Sequence, residues 1–374
     1  MKPQAGTAGL LLLGFLLLPG VPASAEEILR VAVLQGVSSL VVSSGNAFRV
    51  LDARGKPLIE GSVSRALVKE GPSLLVNGRS YASREIVIRP LGTSPLLIGK
   101  TAYRGRLRIK QRGRLLVINE LDVDEYLKGV LPMEISVKWH PEVLKVQAVI
   151  SRTYALYQKG RSRGKDYDLT DSVQDQVYGG GAVEDPRTDA AVSATRFEIL
   201  SYAGEPIFAA FHSTSAGPTE DAQERWSINV PYLKGVSCPR DQESPYYRWE
   251  RRIDFNAVEQ GLLRSGFSIG SMATLQPLSY SKAGRVLLVR IIHSQGELIL
   301  PADELRKAIG STVLPSTAFD LVEFGKALLF RGKGYGHGVG LCQWGAKVLA
   351  ERGLGYRAIL QYYYPGVTLE SSPR

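Results

Sequence analysis

Cysteine and histidine are scarce in this chain of 374 residues. It has two cysteines, Cys238 and Cys342, and four histidines. None of them has the spacing of a common metal-binding motif, so we expect no metal and no cofactor. Cysteines of an exported protein can form a disulfide. The sequence leaves a Cys238–Cys342 disulfide and two buried thiols equally open.

Long apolar runs are absent except at the N-terminus. Lys2 is the only charged residue before Glu26, residues 10–18 are almost all leucine, and Ala23-Ser24-Ala25 has the small-x-small pattern of a cleavage site. This arrangement predicts a secretory signal peptide over residues 1–25. No later run approaches the ~20 apolar residues of a membrane-spanning helix. We therefore expect export to the periplasm or the cell-wall space, with no integral membrane segment after cleavage.

The composition is that of an ordinary globular protein. Hydrophobic residues make up 44% and charged residues 22%, which excludes a disordered or fibrous chain. The formal net charge is +10. This excess of positive charge is compatible with a polyanionic partner but does not identify one. We expect that no nucleic acid is a partner.

The residue pattern predicts an α+β fold. Residues 74–81 have the strongest hairpin signal, with Asn77-Gly78 between two short apolar runs, and residues 107–119 form a second candidate hairpin. We expect a β-rich N-terminal region at 26–100 and one functional domain at 101–374. Hairpin-rich segments should surround a central amphipathic helix.

Helical signals begin in the middle of the chain. A short helix is predicted over 122–130, followed by an irregular stretch at 131–136. Apolar residues then recur every three or four positions from Pro141, with Gly160 as the expected stop. A further hairpin is predicted over 284–300, and further helices over 303–309, 342–352 and 356–364.

Glu134 is the first candidate for chemistry. It lies in an otherwise apolar stretch, and burial would raise its pKa as a general acid requires. On spacing alone, a capping or solvent-facing glutamate is the favoured interpretation. Lys145 and Arg152, seven residues apart on the following helix, could hold an anionic or polar group of a substrate. An ordinary solvated face with a Glu142–Lys145 pair is the alternative.

Two loops supply the remaining candidates. His212-Ser213-Thr214-Ser215 lacks the glycines of a nucleophile elbow, so we interpret it as a binding loop rather than a triad. Residues 334–340 have glycine at every second position, with His337 inside and Gln343 just after. The match to a dinucleotide loop is poor. A groove that contacts sugar rings and a tight structural turn remain equally open.

Three separated segments together resemble one known family. They are residues 119–156, the His212-Ser213-Thr214-Ser215 loop, and residues 336–346. A further segment, residues 170–178, fits the same family. This set resembles the stage II sporulation protein D and amidase-enhancer family (SpoIID/LytB) over roughly residues 100–370. Residues 26–100 match no family that we can name.

The resemblance implies peptidoglycan as the substrate or ligand. The family's catalytic glutamate falls on Glu134, its helix lysine and arginine on Lys145 and Arg152, and its histidine on His212. The sequence departs from the family's Glu-Met-Pro pattern with Glu134-Ile135-Ser136. Some clostridial members bind zinc through that histidine and two cysteines shortly downstream. No cysteine precedes Cys238 here, so we predict no such zinc site.

Sporulation members of the family are similar to lytic transglycosylases. The expected reaction is therefore cleavage of glycan strands, with Glu134 as acid and then base and 1,6-anhydro-muramoyl ends as products. Lys145, Arg152, His212, Ser213, Thr214, His337 and Gln343 are the expected substrate-binding residues. The alternative is a non-catalytic module that binds peptidoglycan and assists a cell-wall amidase. A cell-wall amidase therefore remains open as a second partner besides peptidoglycan.

Overall fold

The computed structural model describes residues 27–59, 61–238 and 241–371. The predicted signal peptide lies outside these residues. Within them the fold is α+β, as predicted. No helix in this part of the chain is both long and apolar enough to cross a membrane.

Most of the N-terminal half forms one large sheet of eleven strands. Its central order is β11-β1-β10-β9-β6-β2-β3-β4-β5, and β7 pairs with β2 and β8. The strands are β1 Ile28–Val37, β2 Ser39–Asp52, β3 Val63–Lys69, β4 Leu74–Val76, β5 Arg79–Tyr81, β6 Glu85–Pro90, β7 Leu96–Ile98, β8 Thr101–Tyr103, β9 Arg106–Arg112, β10 Arg114–Asp122 and β11 Leu169–Thr170.

This sheet crosses the domain boundary expected at residue 100. Strands β9 and β10 follow residue 100, yet β9 pairs with β6 and β10 pairs with β1. The region before residue 100 therefore shares its hydrogen-bonded ladder with β9 and β10, and its apolar core with the helices that follow them in the chain. The sequence did not predict this pairing, because the pattern of a hairpin does not show which distant strand pairs with its edge.

The helices and the remaining strands make up the rest of the molecule. The helices are α1 Val123–Glu134, α2 Pro141–Arg161, α3 Pro186–Ala194, α4 Ala222–Trp226, α5 Phe255–Arg264, α6 Ala302–Ile309, α7 Gln343–Glu351 and α8 Tyr356–Tyr363. The strands are β12 Glu198–Tyr202, β13 Glu205–Pro206, β14 Phe211–His212, β15 Trp249–Asp254, β16 Met272–Tyr280, β17 Val286–His293, β18 Gly296–Pro301, β19 Phe319–Phe324, β20 Ala327–Gly332, β21 Leu341–Cys342 and β22 Thr368–Ser371.

Three apolar cores organise these elements. The first lies between the large sheet, α1 and one face of α2. The second surrounds the other face of α2 together with α7 and α8. The third lies within the two three-stranded sheets of residues 249–330 and their helices α5 and α6. Helix α2 is thus the central helix that the sequence predicted, buried on both sides.

Local signals placed several element boundaries correctly. Asn77 and Gly78 both have positive φ, as the predicted two-residue turn requires. Helix α2 begins at Pro141, and His140 accepts a hydrogen bond from the Glu142 amide through Nδ1 at 3.2 Å. The prediction was wrong at 131–134, where α1 continues through Pro132 to Glu134. Buried Val130 and Leu131 hold this last turn in the core despite the proline.

The glycine-rich segment 334–340 lies next to the His212 loop. Strand β14 runs parallel to β21, with His212 opposite Cys342 in the register. Gly340, at φ 71°, precedes β21, and a Cβ there would overlap the Ala210 carbonyl oxygen. This position therefore requires glycine for both its conformation and its close backbone contact.

We expect Gly340→Ala to destabilise the protein by ~1–3 kcal/mol more than Gly353→Ala does. Gly353 also has positive φ (89°), but a Cβ there would meet nothing within 4 Å. Both variants carry the strain of the left-handed region, and only Gly340→Ala adds a clash. Urea unfolding of the two variants measures the difference, and equal losses would refute the close-contact explanation.

Candidate functional site

Glu134 lines a cavity of about 310 Å³. The walls come from α1, α2, α4, the 171–178 loop, the strand segment before His212 and the glycine-rich segment. The lining residues are Glu134, Tyr154, Val173, Gln174, Asp175, Val177, Phe208, Ala210, Phe211, Trp226 and His337. Two predicted site residues, Glu134 and His337, are therefore together in one cavity.

Close packing of α1 determines where the Glu134 carboxyl lies. A Cβ at Gly129 would lie 2.5 Å from the Tyr178 ring and 2.8 Å from the Gly180 carbonyl oxygen. The Gly179 amide donates to the Gly129 carbonyl at 3.0 Å. This contact brings the 177–180 segment against the helix, so that the Val177 amide donates to Glu134 Oε1 at 3.1 Å.

Burial raises the pKa of Glu134 above its ordinary value, and the Val177 hydrogen bond opposes the shift. No cation is paired with this carboxyl among the described residues. A carboxyl in this environment is a proton donor at higher pH than an exposed one. This is the property that a general acid near neutrality needs.

A second carboxylate, Asp175, lines the same cavity. Its Oδ2 accepts from the Thr170 amide and the Thr170 hydroxyl, both at 2.8 Å. Its Oδ1 accepts from the Tyr154 hydroxyl at 3.3 Å and from Gln158 Nε2 at 3.0 Å. Four donors hold it in one orientation. In the sequence, Asp175 belongs to the segment 170–178 that fits the family. Only the fold shows that it lies in the same cavity as Glu134.

A row of rings forms another part of the cavity wall. Tyr154 and Phe208 have centroids 5.9 Å apart, Phe208 and Trp226 5.7 Å, and Trp226 and His337 4.8 Å. Aromatic faces pack against the apolar faces of sugar rings, and a large ring carries much contact area. Phe208 and Trp226 were not predicted as site residues, because an isolated aromatic residue has no periodic signal in the sequence.

His337 is held as a neutral imidazole. Its Nδ1 accepts from the Val339 amide at 3.1 Å, which leaves Nε2 to carry the proton. Burial, followed by the positive charges of Arg225, Arg285 and Arg306, lowers the pKa of His337 to about 3. A hydrogen bond with the Phe211 backbone opposes this shift, and the imidazole stays uncharged over the physiological pH range.

His212 supports the loops and does not line the cavity. Its Nδ1 contacts the Val339 carbonyl at 3.1 Å, and its Nε2 contacts the Ser215 hydroxyl at 2.8 Å. Burial is the largest cause of a pKa far below its usual value. Both ring nitrogens are therefore occupied within the protein, which does not fit the expected contact with substrate.

Ser213, Thr214 and Gln343 also act inside the protein rather than in the cavity. Ser213 Oγ contacts Thr214 Oγ1 at 3.2 Å, and Thr214 Oγ1 contacts Ser244 Oγ at 2.6 Å. Gln343 Nε2 donates to the Glu134 carbonyl oxygen at 3.2 Å and to Gln147 Oε1 at 3.1 Å. Gln343 therefore positions the end of α1 and, through it, Glu134.

Lys145 and Arg152 lie outside the cavity as well. Lys145 forms a 2.7 Å pair with Glu142 and lies 5.5 Å from the centroid of the Tyr356 ring. Arg152 is fully buried, bonded to Asp124 at 2.7 Å and to the carbonyls of Glu198 and Val192. Its donors are occupied by α1, α3 and β12, so a substrate cannot reach them. The seven-residue spacing predicted that Lys145 and Arg152 lie on one face of the helix. It could not show that neighbouring elements bury Arg152.

A larger cavity, of about 730 Å³, lies around β15, β19 and β20. It contains none of the predicted site residues. Its charged lining residues include both signs, and Glu250 is already paired with Arg331 at 2.9 Å. The smaller cavity, where the buried carboxyl lies, is therefore the candidate site.

The fold and the site define an α+β protein with one buried glutamate in an aromatic-lined cavity. The family model described as stage II sporulation protein matches residues 111–202, and a model described as a domain of unknown function, DUF8618, matches residues 232–340. The chain belongs to the SpoIID/LytB family.

Relatives at about 30% identity support this assignment. An uncharacterized protein of Brachyspira hyodysenteriae is 32% identical, over 73% of this chain and 73% of its own length. A stage II sporulation protein D of Bacillus amyloliquefaciens is 31% identical, over 68% of this chain and 76% of its own. The amidase enhancer of Bacillus subtilis is 31% identical, over 66% of this chain but 40% of its own length.

We expect Arg152→Ala to lower the free energy of unfolding by about 2–4 kcal/mol, because it leaves the carbonyls of Glu198 and Val192 without this donor and removes a buried cation from Asp124. Lys145→Ala, the matched control from the same helix, removes a partly exposed pair and should cost about 1 kcal/mol or less. Chemical denaturation measures both. If Arg152→Ala is as stable as the control, the structural role of Arg152 is wrong.

Glu134→Gln should stabilise the protein above neutral pH by about 0.5–2 kcal/mol. The folded-state pKa is raised, so ionising the buried carboxyl destabilises the fold as pH rises from the unfolded-state pKa through the folded-state value. The amide keeps an acceptor for the Val177 amide and never ionises. Melting temperatures across pH should show a gain that disappears below the unfolded-state pKa. A pH-independent difference would contradict the burial of the charge.

Proposed function

We propose that this protein cleaves peptidoglycan glycan strands by a lytic-transglycosylase-like reaction. The observation that supports this proposal most directly is the Glu134 carboxyl, buried in a cavity and hydrogen-bonded only by the Val177 amide among the described residues. Family membership supports the same conclusion, because relatives carry the names sporulation protein D and amidase enhancer. We further propose that the protein acts outside the cytoplasm, where peptidoglycan lies.

The reaction needs one carboxyl that first donates and then accepts a proton. Glu134 protonates the glycosidic oxygen between N-acetylmuramic acid and N-acetylglucosamine, and the bond from C1 to that oxygen breaks. The resulting carboxylate then takes the proton of the C6 hydroxyl, whose oxygen bonds to C1 of the same ring. An internal nucleophile of this kind has a high effective concentration. It also replaces the second carboxylate that hydrolytic glycosidases use.

The other cavity residues fit supporting roles. The ring row from Tyr154 to Trp226 provides a surface for the sugar faces. The Asp175 carboxylate stabilises positive charge that develops at C1, because it lies in the same cavity and is held by four donors. The neutral His337 ring extends the surface of the ring row beside Trp226. Lys145, Arg152 and His212 have no substrate role in this proposal.

The test is product formation on glycan strands without stem peptides. The protein without its first 25 residues should release fragments with 1,6-anhydro-muramoyl ends, detected by mass spectrometry. Glu134→Gln should reduce the rate by roughly 10²–10⁴-fold, since it removes the transferable proton and keeps the shape. The rate should fall as pH rises through the pKa of Glu134, because the first step needs the protonated form.

Glu297→Gln is the matched control, since Glu297 lies in the β17–β18 hairpin and pairs with Arg290 away from the cavity. It should cleave like the unmodified protein. If the unmodified protein and Glu134→Gln bind the strands equally and neither cleaves them, catalysis is refuted. That result would favour a binding module that assists an amidase.

A further inference from the structure

Two cysteines and an aspartate converge on the inner side of the His212 loop. One possible ligand atom from each of Cys238, Asp241 and Cys342 lies within 4.8 Å of the others. Asp241 and Cys342 are fully buried, and both cysteines are free thiols. None of the three lines the Glu134 cavity, so the catalytic proposal makes no use of them.

Asp241 has one carboxylate oxygen without a partner. Its Oδ2 accepts from the amides of Ser215 and Ala216, at 3.1 and 3.0 Å. Its Oδ1 is buried and has no hydrogen-bond partner among residues 27–59, 61–238 and 241–371. A buried, unpartnered acceptor is unfavourable and is a common sign of a bound ion or water. A disulfide between the two cysteines would leave this oxygen unsatisfied.

Two backbone amides donate to the sulfur of Cys342. Its Sγ accepts from the amides of Ser215 and Gly345, both at 3.3 Å, and it precedes the first turn of α7. Amide donors and a helix N-terminus stabilise a thiolate and are typical around metal-bound sulfur. A Cβ at Gly345 would lie 2.5 Å from the Cys238 sulfur, so glycine there leaves room for both thiols.

The three side chains are close enough together for a tetrahedral site. Zinc bonds to sulfur at about 2.3 Å and to carboxylate oxygen at about 2.1 Å, which separates the two ligands by about 3.6 Å. One possible ligand atom from each residue lies within 4.8 Å of the others, and the Cys342 thiol lies 3.4 Å from Oδ2 of the Asp241 carboxylate, so this carboxylate is adjacent to the sulfur. Two thiolates with one carboxylate are soft enough to favour zinc over magnesium or calcium.

We propose that Cys238, Asp241 and Cys342 bind one zinc ion, with Asp241 Oδ1 as the oxygen ligand. Each thiol releases its proton to solvent on binding, and the divalent ion offsets the three negative charges. Asp241 Oδ2 keeps its two amide donors and orients the ligating oxygen. A water completes the fourth position. This ligand set was invisible in the sequence, since Cys342 lies far along the chain from the other two.

The site links three segments that support Glu134. Cys238 and Asp241 belong to the loop before β15, Asp241 holds the Ser215 and Ala216 amides, and Cys342 precedes Gln343, which bonds to the Glu134 carbonyl. Zinc would therefore stabilise the fold and position the end of α1. This role does not depend on whether the Glu134 cavity is catalytic.

The experiment measures metal in the intact protein, expressed and purified with zinc chloride and then dialysed. Elemental analysis should give about one zinc per chain. Cobalt substitution should produce thiolate-to-cobalt charge-transfer absorption in the near ultraviolet. Removing the metal with a chelator should lower the melting temperature, and zinc chloride should restore it.

Variants test the assigned ligands. Cys342→Ser and Asp241→Asn should each lose stoichiometric zinc, whereas Asp320→Asn, an exposed aspartate on β19, should retain it. Thiol titration and intact mass of the unmodified protein provide the second readout. A metal-free protein overturns the proposal, whether it has two titratable thiols or a mass two hydrogens lower from a disulfide. Zinc retained by both ligand variants also overturns it.

Discussion

The close contact between helix α1 and the 177–180 segment is the constraint on which the site depends. Gly129 allows the Tyr178 ring to pack directly on the helix, and the Val177 amide then reaches the Glu134 carboxyl. A larger residue at Gly129 would separate the two segments. The carboxyl would then lose both its burial and its one amide donor, which together set its protonation. The pKa of this side chain is thus a consequence of backbone packing.

The glycine-rich segment is supported from behind by a buried polar network. Arg285, at the start of the β17 hairpin, donates to the carbonyls of Gly336 and Ser215 and is paired with Glu220. Arg225 pairs with Asp303 and bonds to Thr317 Oγ1 at 2.8 Å. The same arginines hold His337 neutral. The 249–330 unit therefore contributes to the site through electrostatics and loop support, although the cavity lies outside it.

Much of the local structure followed from the sequence. The Asn77-Gly78 turn and the Pro141 helix start were predicted correctly because each depends on the conformational preference of a few adjacent residues. The fold places two of the predicted substrate-binding residues outside the cavity. Arg152 and His212 are residue types that often bind substrates, but here neighbouring carbonyls and Asp124 occupy their donors. Periodicity cannot show which face of a doubly covered helix remains accessible.

The sequence by itself determined the class of fold, the family and the identity of the one glutamate in an apolar stretch, because these depend on residue order and local pattern. The tertiary structure alone decided that Glu134 and His337 share a cavity with Asp175, and that Cys238, Asp241 and Cys342 meet. Such groupings depend on how segments far apart in the chain pack against each other. No local preference encodes that packing, because it arises from the burial of apolar surface over the whole molecule.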